Sequence, residues 1–226
     1  MEKKFNNVLT VILVIAVIAI LILVGFWAYD FYTKYKLEQD ALKAIAEFEN
    51  AISQIDGNTI GDDILSNSAN AIVSEPQDQP STNTNTSNNG SYAQKYKNFT
   101  ILGQIEIPKT NINYPVLAEV SPKALSVSVA QLYGPGLNKV GNTVIIGHNN
   151  RNGLFFSNNK KIAIGDKIYI TDLNGNRLEY TVYNKYETTD TDTEYMTRDT
   201  NGGIEISLST CTDNGSKRII IWAKAN

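Results

Sequence analysis

An all-β head carried behind a membrane-spanning helix is the fold class that this chain predicts, and three observations carry it. An uncharged apolar run fills the N-terminus, short strand-like segments recur from Phe99 onward, and a polar low-complexity stretch separates the two. The run VLTVILVIAVIAILILVGFWA (Val8–Ala28) holds no charge. At 1.5 Å per residue it crosses about 30 Å of hydrocarbon. A cleavable signal peptide has a shorter apolar core of about 7–15 residues and a small-residue cleavage site, so the segment reads as a retained signal anchor behind a cytoplasmic tail at 1–7. Lys3 and Lys4 precede it and Lys34 and Lys36 come after it. A tail of a few residues with two lysines favours a cytoplasmic N-terminus and puts the chain beyond Tyr29 outside the cell.

Residues 29–56 read as a juxtamembrane helix. Leu42, Ile45, Phe48, Ile52 and Ile55 recur at helical spacings with charges between them, the pattern of one apolar face. It suits a stalk lying on the membrane or on the following domain, with a short coiled coil as the alternative. Residues 57–98 then read as a flexible linker, because STNTNTSNNGS (Ser81–Ser91) has almost nothing to bury. Such a tether lets a folded head reach substrates held at the same surface.

Residues 99–226 read as one β domain. ILGQIEI (Ile101–Ile107), INYPVL (Ile112–Leu117), NTVIIG (Asn142–Gly147), KIYITDL (Lys167–Leu173), RLEYTVYNKYE (Arg177–Glu187), IEISLST (Ile204–Thr210) and RIIIWAK (Arg218–Lys224) are strand-like. Short helices are expected around Ala124–Tyr133 and Leu154–Asn158. Seven or eight short strands suggest a small closed barrel or a sandwich.

Composition narrows the function classes. A net charge of −3 lacks the basic excess of nucleic-acid binders. One cysteine and one histidine exclude an intrachain disulfide and leave too few soft ligands for a zinc site within one chain. An unpaired extracellular cysteine is either an intermolecular bridge or a reactive thiol.

That cysteine, Cys211, ends a strand, and CTDNGSKR runs on through Asn214-Gly215, the pair most favoured in two-residue type I′ hairpin turns. A turn there sets Cys211 directly opposite Arg218, with Cβ atoms about 4.5–5.5 Å apart on one face. The pairing matters because an unperturbed thiol is only about 3% thiolate at pH 7. A fixed cation favours the ionised form and can donate to an oxyanion that develops on an attacked carbonyl. His148, just past a buried-type strand, is the candidate proton carrier. Singly, a strand-end cysteine is more often a small buried residue and a lone histidine or arginine more often a loop charge; their joint occurrence points to nucleophilic catalysis.

TVIIGHN (Thr143–Asn149), SLSTC (Ser207–Cys211) and the arginine at 218 resemble the sortases, whose marks are a histidine after a VIxGH-type strand, a TLxTC strand and a downstream arginine. The resemblance extends over Gly103–Leu117, Leu154-Phe155 and Ile164–Ile170. It implies an eight-stranded sortase-type closed β-barrel with a few short helices. It also implies cleavage of an LPXTG-like sorting signal between Thr and Gly through a thioester on Cys211, with His148 as acid and base. The acyl group would pass to an amine of a cell-wall precursor or to a pilin lysine. Thr210 matches the threonine before the nucleophile, where it would help position substrate, and Ser207 stands where the family commonly has threonine.

The absence of an Asp-Pro-aromatic lid sets the pilin-polymerising members second. Thr188–Gly203 is too short for the helical insertion of class B, which leaves a class D-like enzyme, with class A-like as the alternative. ETTDTDTEY (Glu187–Tyr195) reads as a solvated loop rather than a calcium site, because calcium needs about six to eight oxygen ligands; no cofactor is expected. Two other functions stay open: a tethered adhesion module that uses Cys211 for an intermolecular disulfide, and a plain cysteine endopeptidase.

Overall fold

The computed structural model describes residues 2–55 and 94–226. One helix, α1 (Glu2–Ile55), runs unbroken for 54 residues, so the expected anchor and stalk are a single rod. Its apolar stretch is long enough to cross a bilayer, and none of its most hydrophobic window is buried in protein. Leu23 is 67% exposed and Phe26 and Trp27 are 72% exposed. A surface of that kind is stable only against lipid or another apolar partner.

The C-terminal half of the same helix behaves oppositely. Ala41, Ala44 and Phe48 are buried and join the main core, with Leu37 and Ile52 packed against it. The helix seats chiefly along β3 (Ile112–Leu117), and Asp40 pairs with Lys97 at 3.1 Å. Ile52 lies so close to Gly175 that a Cβ there would come within 2.5 Å of it. The stalk face therefore covers the barrel, in place of a coiled coil. The expected linker reaches Asn98, but β1 (Lys95–Tyr96) already pairs with β2 (Phe99–Ile107) and Tyr96 is buried; residues 57–93 of it lie outside the described residues.

The remaining strands are β4 (Val129–Tyr133), β5 (Gly141–Ile146), β6 (Lys167–Asp172), β7 (Arg177–Thr188), β8 (Ile204–Cys211) and β9 (Arg218–Ala225). They run in the order β2-β3-β4-β5-β8-β9-β7-β6, and a β2–β6 pairing closes the ring. The result is the closed eight-stranded barrel, with β1 a short addition to β2. Closure leaves no long edge to aggregate. The interior is filled by Ile105, Val116, Val129, Ile145, Leu208 and Ile221, all fully buried.

Two expected helices are corrected. Ser121 accepts from the Ala124 amide and starts α2 (Pro122–Leu125), which lasts a single turn. The chain then extends, because Val127 and Val129 are β-branched and Val129–Tyr133 finds partners on both sides: β3 in parallel and β5 antiparallel. At Leu154–Asn158 the backbone turns without forming a helix, with Phe155 at φ 50°; a short 3-10 turn comes next at Asn159–Lys161.

Candidate active site

Cys211 is the last residue of β8 and Arg218 the first of β9, and the two are paired in register. The arginine Nη1 lies 3.7 Å from the cysteine Sγ, so the cation and the sulfur meet as hairpin geometry predicts. The connection itself differs from a two-residue type I′ turn. Gly215 has φ 74° but Asn214 is not in the left-handed region, and type I′ needs both. Instead the Gly215 amide donates to Thr212 O at 2.9 Å and the Thr212 amide to Lys217 O at 2.9 Å. Asn214 Oδ1 accepts from Thr212 Oγ1 at 2.7 Å and from the Ser216 amide at 3.2 Å. A four-residue loop thus keeps the same register.

His148 reaches the site by a different route. β5 and β8 run parallel, with Ile145 opposite Leu208 and Ile146 opposite Ser209. Continuing that register past β5 sets His148 opposite Cys211, and bonds on both sides of the histidine hold it there. The Gly147 amide donates to Ser209 O at 3.3 Å, and Thr210 Oγ1 donates to Gly147 O at 2.7 Å. Asn149 Nδ2 donates to Cys211 O at 2.9 Å. The imidazole is exposed at the barrel rim while its backbone is fixed. Cysteine and arginine therefore stand on the adjacent strands β8 and β9, and the histidine lies two residues past the end of β5, the neighbour of β8 on its other side.

Thr210, to which the resemblance gives a part in positioning substrate, is 1% exposed and commits its hydroxyl to Gly147. Ser207 is fully buried and donates to Asn142 Oδ1 at 2.8 Å. Asn142 in turn donates to the carbonyls of Tyr195 and Met196 at 2.9 Å each, fastening α3 (Glu194–Thr197) to the outer face of the barrel.

Arg198 completes that fastening. It pairs with Glu205, donates to Tyr183 Oη at 2.9 Å and Asn142 Oδ1 at 3.0 Å, and stands 4.7 Å from the Trp222 ring centre. Burial, aided by the bond to Glu205, pushes the Tyr183 phenol up to about 12. Beneath α3 lies a small apolar cluster of Val144, Tyr195 and Ile220, with Ile146, Met196 and Trp222 against it. A cavity of about 670 Å³ opens at the far end of this face, lined by Ala118, Leu132, Tyr133, Pro135, Asn142 and Met196 among others. A second, of about 370 Å³, borders the β8–β9 hairpin through Thr212, Asp213 and Lys217.

Beside Cys211, Asp213 is held below the usual carboxylate range by hydrogen bonds from Lys160 and then from Asn149. Asn149, Asp213 and Arg198 escape a reading of the sequence: all three are loop residues whose partners lie on other elements. The only local signal was the position of Asn149 directly after His148.

Comparison with known proteins bears on this arrangement. The family model for the sortase domain matches residues 105–226, more than half of the chain. The chain belongs to the sortase family. Sortases are cysteine transpeptidases that act on sorting signals and amine acceptors. The chain is 27% identical over 206 residues to Sortase A of Bacillus anthracis, covering 88% of this chain and 86% of that one. It is 31% identical over 120 residues to Sortase A of Listeria monocytogenes, covering 53% of each. Among solved structures, the lid mutant of Sortase A from Corynebacterium diphtheriae matches with a TM-score of 0.52 at 27% identity, over 57% of this sortase and 71% of that chain. The Clostridium perfringens Sortase D5 transpeptidase matches at 0.51 and 25%, over 56% and 79%.

Proposed function

We propose that this sortase is anchored in the membrane by α1 and cleaves an LPXTG-like sorting signal between Thr and Gly. Cys211 Sγ attacks the threonine carbonyl, Arg218 stabilises the thiolate and the oxyanion, and His148 protonates the departing amine as the C–N bond breaks. The thioester is resolved by an incoming amine, which gives its proton to His148 as Cys211 leaves. A cell-wall precursor is the proposed acceptor, which would anchor surface proteins to the wall. The observation that carries the reading is the contact of Arg218 with the only thiol in the chain, at the strand end that the register of β5 shares with His148.

The outer face supports a peptide donor. From Asn142, at the larger cavity, to His148 is about 20 Å of extended strand, the span of five or six residues of a donor whose scissile bond lies at Cys211. The apolar residues of the signal would enter the cavity beside Leu132, Pro135 and Met196. The helix supports the anchoring. Leu37, where α1 begins to pack on the core, lies about 14 Å beyond Ala28, so the barrel would sit close to the outer leaflet with the N-terminus in the cytoplasm. Among subclasses we favour a class D-like enzyme, on the short segment between β7 and β8.

The test incubates the full-length chain, in detergent micelles, with a panel of LPXTG-type peptides and with triglycine or lysine-bearing amines, and identifies products by mass. The expected product is the amine adduct of the peptide ending at threonine, absent from Cys211→Ala. Turnover retained by Cys211→Ala, or only hydrolysed acid with every amine, would overturn the proposal.

A further inference from the structure

The loop after β5 is not held in place by local preference. Arg151 at φ 56° and Phe155 at φ 50° both adopt the left-handed region, which residues other than glycine rarely visit. Its conformation depends on ties to the rest of the fold. The Phe156 amide donates to His148 O at 3.1 Å, and the Asn150 amide to Ser157 Oγ at 3.2 Å. These close the loop on itself.

A single side chain among the described residues joins it to the peptide of Cys211. Asn149 Nδ2 donates to Cys211 O at 2.9 Å and to Asp213 Oδ1 at 3.0 Å. Its Oδ1 accepts from the Arg151 amide at 3.1 Å, which fixes the amide's orientation: reversed, the oxygen would face two acceptors and the nitrogen a donor. Asp213 is itself anchored by Lys160 through its other oxygen.

We propose that Asn149, anchored by Asp213, is a positioning residue that keeps His148 beside Cys211 for proton transfer. The proposal rests on the transpeptidase reading above. The Asn149 side chain bonds to the Cys211 carbonyl, Asp213 and the Arg151 amide, whereas the contact of the sulfur with Arg218 is made across the β8–β9 hairpin. Its loss therefore disturbs proton delivery while leaving thiol reactivity and donor binding in place.

The experiment measures kcat and KM for donor peptide with triglycine, the rate of Cys211 alkylation by iodoacetamide, and the melting temperature, all on the full-length chain. In Asn149→Ala, kcat falls about 10- to 100-fold while KM and the alkylation rate stay within about twofold, as a displaced catalytic group requires. Asn149→Asp, which sets a carboxylate against Asp213, is equally poor. Adding Asp213→Asn to it relieves that repulsion but returns no donor to Cys211 O, and recovers less than about threefold. A wild-type kcat in Asn149→Ala, a parallel fall in alkylation and melting temperature, or full recovery in the double variant would overturn the proposal. Turnover that survives His148→Ala overturns the transpeptidase reading along with it. Loss confined to His148→Ala and Cys211→Ala, with Asn149→Ala intact, sinks this proposal alone.

Discussion

Cys211 has a neighbour on each side, and the two are delivered by different physics. Arg218 arrives across an antiparallel hairpin of seven residues' separation, where one turn fixes the register. His148 arrives across the parallel β5–β8 pairing, where no turn joins the strands and the chain between them builds two more strands, β6 and β7, of the barrel. The arginine contact needs little more than the hairpin; the histidine position needs the whole ring to close. On the proposed roles, proton transfer is thus the part of the site most exposed to distant damage, and charge stabilisation the part most protected.

Direct removal of each group gives the largest effects. Cys211→Ala should leave no measurable transfer, and His148→Ala should cost about 10²- to 10⁴-fold in kcat as a lost acid-base group. Arg218→Ala should cost about 10²- to 10³-fold, the scale of a lost oxyanion donor. Steady-state kinetics with one donor and one acceptor rank the three.

Gly147→Ala attacks the histidine side alone. A Cβ there would come within 2.8 Å of Val129 Cγ1 and 3.0 Å of Phe156 Cδ2, and such overpacking costs about 1–3 kcal/mol. Because the displaced backbone is that of His148's neighbour, kcat should fall further than stability explains, with alkylation of Cys211 near normal. The mirror experiment is Gly215→Val in the hairpin. Its φ of 74° is a poor one for a β-branched residue, at about 1–2 kcal/mol. Nothing crowds that site, so the melting temperature should drop while activity, measured well below the melt, falls only a few-fold. Equal sensitivity of kcat in the two variants would break the comparison.

The same division explains what could be read from the sequence. The Cys211–Arg218 pairing was legible because it is local, and it survived even though the turn is a four-residue loop rather than the expected type I′. Seven strands were legible from alternation and β-branched content. β4 was not: the helix expected around Ala124–Tyr133 covers it, and only pairing with β3 and β5 decides otherwise. The seat of α1 on β3 was half legible. Ile45, Phe48 and Ile52 marked the apolar face, while Leu42, expected on it, is 43% exposed and Ala41 and Ala44 take part instead; what that face covers is a tertiary fact. Asn149 and Asp213 were invisible because a loop side chain's partner is set by where the ring closes.

The smallest effect concerns the outer end of that chain of contacts. Asp213 is held below the ordinary carboxylate value by Lys160 and Asn149. A group whose folded value is lowered stabilises the fold above its unfolded value, and that contribution is lost as pH falls through the folded one. The window therefore lies below about pH 4. Asp213→Asn should melt slightly below the wild type at about pH 6, and the gap should narrow as the pH falls below about 4 towards about 3, where the wild-type carboxylate begins to lose its charge. Paired scans at the two pH values with and without about 1 M salt separate the causes, since salt screens the exposed Lys160 pair more than a hydrogen bond from a neutral amide. A gap that persists at low pH would mean that shape, rather than charge, is what Asp213 contributes to the histidine side of the site.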